Sequence, residues 1–195
     1  MSATTEPMTE LDAVNTLLRA IGQVGVSSLL PAASNASVDT ALRELRSTSR
    51  DVQKRGWHFN TLIGFPLSRS PAGHIELPLN TLRVDTVIGM NKTDVAQRGR
   101  KLYDRVNHTL VFQEDLKVDL VEALEWEDLP VGAQWYITVK AARRFATSSL
   151  ASDTAFRFTT DDEKQALVDL EQEDAENDDR TMAQASPHIA RMRRK

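Results

Sequence analysis

The sequence predicts an α+β protein: a four-helix bundle with a β-rich lobe inserted between the second and third helices. Two patterns carry this. Apolar residues recur at helical spacing near both ends of the chain, whereas from about residue 62 to residue 124 they alternate with polar ones in short runs. A third observation is that Trp57 and Trp126 stand where the chain leaves the helices and where it returns, the places at which large apolar side chains would seal a junction. The expected layout is a flexible N-terminal arm at 1–8, a helical bundle from 9–61 and 125–182, the inserted lobe at 62–124 and a basic C-terminal tail at 183–195.

Thr9 followed by Asp12 opens the first helix, with Leu11, Val14, Leu17, Leu18 and Ile21 on one face and Gly22 at its end. The linker GQVGVSSLLPAASNAS brings Val26, Leu29 and Leu30, which would pin it to the core. Ser37 is the expected N-cap of the second helix, with Val38, Ala41, Leu42, Leu45 and Val52 inward, Arg43, Arg46, Arg50 and Lys54 outward, and Gly56 as the stop. Pro66, Pro71, Gly73 and Pro78 then punctuate β-prone pieces, of which LRVDTVIGM, KLYDRV, HTLVFQ and LKVDLVEAL alternate as strands do. KLYDRV and HTLVFQ, meeting near Asn107, read as a hairpin, and VAQRGRK as an exposed loop. Pro130 sits in the first turn of a third helix with Trp135, Val139, Ala142 and either Phe145 or Ala146 at core spacing. Thr160 with Glu163 makes a capping box for a fourth, whose narrow stripe of Ala166, Leu167 and Leu170 fades toward Asp179.

With 195 residues, 41% hydrophobic and 27% charged, the chain can bury a core of its own, and no run of about 20 apolar residues offers a membrane span. It has no cysteine, which removes disulfides, thiolate metal sites and cysteine nucleophiles. The start, MSATTEPMTE, has neither the basic residues nor the apolar region of a secretion signal. The net charge of −4 hides segregation: residues 161–179 hold ten acids against one lysine, whereas the final RMRRK is all cation but for its methionine. No broad basic surface marks a nucleic-acid binder.

The chain contains no GxGxxG, Walker loop, GxSxG or HExxH motif, and the four histidines, His58, His74, His108 and His188, fall at no ligand spacing. No cofactor or metal is expected. Glu122, Glu125, Glu127 and Asp128 could supply a glycosidase pair, but acids ahead of a helix also complement its dipole. Trp57, His58 and Phe59 could stack a sugar or base, or plug a junction; their place between a helix stop and the strands favours the plug.

In order along the chain, LDAVNTLLRAIGQVGVSSL, ALRELRSTSRDVQKRGWHFNT, the YDR of KLYDRV and LPVGAQWYITVKAARRFA resemble the tail tubular protein A, or portal adaptor, family of short-tailed bacteriophages. The resemblance spans about residues 11–150. It implies a structural virion protein without catalytic, cofactor or metal residues, made in the host cytoplasm and placed in the tail at the head–tail junction. Its expected partners are other copies in a dodecameric ring, the portal protein, the tail nozzle (tail tubular protein B) and a tail fibre, with DNA passing through the channel without specific binding. Trp57, Phe59, Trp126, Trp135 and Phe145 are then core and junction residues. Arg191, Arg193, Arg194 and Lys195 are the expected portal-facing cations. The alternatives are a phage-associated glycan or cell-wall hydrolase and a carbohydrate-binding module.

Overall fold

The computed structural model describes residues 7–30, 36–87, 93–149 and 158–185, the side chains of 149 and 178–185 excepted. The fold is α+β, with helices α1 (Glu10–Ala20), α2 (Ala36–Gln53), α3 (Val131–Ser149) and α4 (Thr160–Ala185), and strands β1 (Thr61–Leu67), β2 (Thr81–Thr86), β3 (Val95–Arg98), β4 (Lys101–Asp104) and β5 (Leu116–Glu122). The chain divides into two compact units, one formed by Met1–Val52 with Glu125–Lys195 and the other by Gln53–Leu124.

In the helical unit, α1 opens as its sequence dictates: Thr9 and Asp12 exchange bonds in a capping box. It closes with Gly22 N–H bonded to Arg19 O and Gln23 N–H to Leu18 O, the paired arrangement that ends a helix on a left-handed residue. Its inward face, Ala13, Val14, Leu17 and Leu18, is fully buried. Helix α3 packs on α1 and, antiparallel, on α4, with Gly132 beside Leu170 and Glu173 and Arg143 bonded to Glu163. Helix α2 is tied to α1 by a two-pronged Arg46–Glu10 pair (2.9 and 3.1 Å) and to α3 by Arg144, which reaches both Glu44 (2.8 Å) and Asp51 (2.9 Å).

Four expectations about the termini, linker and caps of these helices change. Leu30 is 84% exposed, so the linker is not pinned by it; the buried Asn15 amide holds the loop instead, donating to Val26 O and accepting from Val26 N–H (2.9 and 2.7 Å). The residue ending the supposed loose arm, Met8, is fastened at its N–H by Gln134 Oε1 and at its carbonyl by Trp126 Nε1. Helix α2 already includes Ala36, so Ser37 lies inside it, where its hydroxyl accepts from Gln23. The cap of α4 is Thr159 with Asp162, one residue earlier than Thr160 with Glu163. Both threonines have an acid three residues on, but Glu163 is engaged by Arg143, which leaves the shorter Asp162 to close the box. These cap bonds, backbone first, hold the exposed Asp162 carboxyl below its ordinary value.

The β unit has a three-stranded antiparallel sheet in the order β1-β5-β2 and a two-stranded β3-β4 hairpin. Its core gathers Leu67, Ile75, Leu77, Leu102, Phe112 and Leu120 with their neighbours. The register of β1 on β5 slips by one residue between Leu62 and Phe65, where Gly64 N–H bonds Asp119 Oδ1. VAQRGRK, expected as a loop, is the β3-β4 hairpin: Gly99 (φ +61°) and Arg100 form its two-residue turn, a glycine-first turn that matches strand twist. HTLVFQ, expected as a strand, is not one beyond a single bridge of Thr109 to Asp104. The Asp104 carboxylate captures Val106 N–H, Asn107 N–H and the Asn107 amide, each at 2.8 Å, and His108 turns to φ +53°. These local bonds outcompete a hairpin ladder.

Candidate functional site

Two polar clasps organise the expected site residues. In the β unit, the buried Gln53 amide pairs with both backbone groups of Leu124, donating to O (3.2 Å) and accepting from N–H (2.7 Å). Asn60, wholly buried, accepts from Trp57 N–H (2.9 Å) and donates to Gln53 O (3.0 Å) and Glu122 O (2.8 Å). The first and last residues of the unit are thereby held side by side. Gly56 (φ +81°) lets the chain turn between them, since an added Cβ would come within 2.8 Å of the Arg83 guanidinium. In the helical unit, Gln134 does the corresponding work, accepting from Met8 N–H and donating to Trp126 O, and Thr138 hydroxyl bonds back to Gln134 O.

Each expected junction residue has a definite place. Trp57 is 4% exposed, its ring lies parallel to Phe59 with centroids 6.3 Å apart, and the Arg55 guanidinium sits 4.8 Å from its centre. Phe59 is half-buried. A sugar or base platform needs an open ring face, which a buried Trp57 does not offer. Trp126 is 7% exposed, its indole N–H spent on Met8 O at 2.7 Å. Trp135 is the correction: it is 40% exposed rather than core, with its ring edge against Phe158. The buried arc of α3 runs through Ala133, Tyr136, Ile137 and Phe145, which leaves Val131 and Trp135, one turn apart, on the outer side. Arg191, Arg193, Arg194 and Lys195 lie outside the described residues.

The remaining chemistry is quiet. Among the described residues no group of His, Asp and Glu is disposed to hold a metal ion. No helix among them is long and apolar enough to cross a membrane. A hollow of about 400 Å³ in the helical unit is lined by Glu44, Lys140, Arg143, Arg144 and Glu163; Arg143 pairs with Glu163 and Arg144 with Glu44, while Lys140 bonds the Tyr136 hydroxyl. The hydrogen bond to Glu10, with Glu125 and Glu127 adding attraction from further off, raises the Arg46 pKa against a smaller cost of burial. Those carboxylates therefore stabilise a cation. Glu122 accepts from the Asn80 amide.

What stands out is exposed apolar and charged surface. Ile63, Leu79 and Val106 in the β unit, and Val24, Leu30 and Trp135 in the helical unit, are large apolar side chains left largely open. Gln53–Leu124 carries ten Lys and Arg against eight Asp and Glu, so with a chain total of −4 the helical unit holds −6. Sequence reasoning missed Gln53, Asn60, Gln134 and Asp104. Their only signal was a polar residue beside aromatic or strand positions that should be buried.

Residues 11–180 match the sequence family described as tail tubular protein. Tail tubular protein A of Klebsiella phage KP34 is 28% identical over 149 residues, covering 76% of this chain and 77% of that one. A chain from the virion of a native gene transfer agent particle overlaps 80% of this chain and 86% of its own, at 19% identity and a TM-score of 0.27. With the family match running through nearly every described element, the chain belongs to the tail tubular protein family, structural proteins of the phage tail.

Proposed function

We propose that this chain is the subunit of an adaptor ring joining the portal to the tail nozzle of a short-tailed phage, without enzymatic activity, and that the ring forms part of the channel through which DNA leaves. The observation that carries the proposal is the tail tubular match over residues 11–180. In this reading the four helices act as one bundle and Gln53–Leu124 as a lobe inserted in it, with Trp57, Phe59 and Trp126 at the junction. Trp135 moves from junction to subunit or partner contact, because its exposure leaves a large apolar face to be covered. A twelve-copy ring, made in the host cytoplasm and carried in the virion, would meet the portal on one side, the nozzle (tail tubular protein B) on the other and a tail fibre at its rim. The net charge of −4 keeps a passing duplex from sticking, since phosphates and carboxylates repel.

The basic segment Arg191, Arg193, Arg194 and Lys195 is the portal contact in this proposal. The test mixes a portal ring with the full chain and with a form lacking residues 187–195, and follows stoichiometry by native mass spectrometry and electron microscopy. Twelve copies of the full chain on one portal, with weaker loading of the shortened form, is the expected result. A full chain that neither closes a ring nor binds portal rules the adaptor out; equal loading of both forms removes the tail from the contact.

A further inference from the structure

The β3-β4 hairpin concentrates positive charge at its exposed turn. Arg98, Gly99 and Arg100 are exposed, and Lys101 half-exposed, at its turn. Ion pairs of the described residues engage Arg43, Arg46, Arg105, Arg143, Arg144 and Lys164, and none of them involves the hairpin cations. The Arg98 guanidinium carbon sits over the Tyr103 ring, 3.4 Å from its centre, a cation–π contact that holds the charge at the hairpin. Lys101, bridged across the backbone to Glu76, has its Nζ 3.4 Å from His74 Nδ1 and makes no ion pair among the described residues.

The opposite charge sits on α4. Asp162, Gln165, Asp169, Gln172 and Glu176 follow one another at three- and four-residue steps, and all are exposed, while Ala166 and Leu170 are buried. Gln165 donates to Asp169 and Gln172 to Glu176, so the carboxylates are held along one stripe of the helix. Three acids at seven-residue intervals repeat about every 10 Å along the axis.

We propose that the β3-β4 hairpin of one copy docks through Arg98, Arg100 and Lys101 on the Asp162–Asp169–Glu176 stripe of α4 in a neighbouring copy. The inference rests on the adaptor-ring reading. A head-to-tail ring needs two different, complementary surfaces on every subunit, and hairpin and stripe supply opposite charge in a unit of net +2 and a unit of net −6. A protein partner is favoured over duplex phosphate because each copy that offered the hairpin to DNA would also bring the −6 unit.

The test reverses each surface in the full chain: R98E with R100E, and D169K with E176K. All four positions are exposed, and circular dichroism checks that both forms keep their helices and strands. Self-association, followed by sedimentation velocity over a concentration series and on a portal ring, should weaken about tenfold or more in each form alone. Mixed in equal amounts the two forms should recover, because each reversed hairpin then meets a reversed stripe on alternate copies. Raising salt should weaken the unaltered assembly through screening. Association of both reversed forms at the unaltered strength would overturn the contact and leave the ring standing. Loss in each form without recovery on mixing would also overturn it, as would duplex binding by the unaltered chain that only R98E with R100E abolishes. Unaltered copies that associate under no condition, portal present, would bring down the adaptor reading itself.

Discussion

Both units use buried amides to grip backbone, Asn15 and Gln134 in the helical one, but the helical unit surrounds them with long apolar faces, whereas the β unit sets its polar grips around a smaller core. Phe145, Leu17, Leu18 and Ile137 are enclosed in the first with no polar atom to satisfy. In the second, Gln53, Asn60 and Asp104 close the chain ends and one turn around a modest core. The difference teaches where each unit is vulnerable: the helices fail when volume is lost, the sheet when a buried donor or acceptor is orphaned.

The sharpest contrast lies within α3. Replacing Phe145, 2% exposed, with alanine should cost about 3–5 kcal/mol of stability in urea denaturation. Trp135→Ala, at a 40% exposed site, should cost about 1 kcal/mol or less, reversing the ranking that side-chain size alone would give. A comparable loss in both would return Trp135 to the core. Next in size, Asn60→Ala removes the acceptor of Trp57 N–H and the side-chain donor to the carbonyls of Gln53 and Glu122, a loss of about 3 kcal/mol expected to fall on the β unit. Hydrogen exchange should show faster exchange in β1 and β5 with α1 and α3 protected; uniform loosening would mean the units do not differ in this way.

The smallest effect is titrated rather than mutated. Burial alone would push the Asp104 carboxyl up, but donors from Asn107 and Val106 outweigh it and hold it below the ordinary 3.8. A lowered folded pKa means this contribution is complete above that value and drains away as pH falls through it. Thermal melts of the unaltered chain should therefore lose more as pH falls below about 4 than those of Asp104→Asn, which keeps one acceptor but no charge. Parallel curves would show that Asp104 adds no pH dependence.

The same contrast explains what could be read in the sequence. Helix faces repeat, so Val14, Leu17, Leu18, Leu45, Val139 and Leu170 were legible, as was the Thr9–Asp12 box. Trp135 was misplaced because a helix buried over a wide arc makes several spacings equally good. In the sheet, polarity misled twice: QRGRK is charged yet forms a ladder, since a glycine-first turn and cross-strand pairing need no apolar tip. HTLVFQ alternates yet bends away, since Asp104 offers its backbone nearer partners. The Gln53–Leu124 clasp joins residues far apart in sequence, and no local pattern announces such a meeting. Of the assembly surfaces, the acid-rich run from Asp161 and the exposed basic turn were visible as composition; their relation needed the hairpin register and the stripe along α4.

Because Gln53 grips both backbone groups of Leu124, the two points where the polypeptide enters and leaves the β unit are cross-linked at its threshold. A pull transmitted along the chain from α2 toward α3 runs across that short bridge instead of through the strands beyond it. The sheet is therefore shunted out of the load path, and would be strained only after the amide lets go.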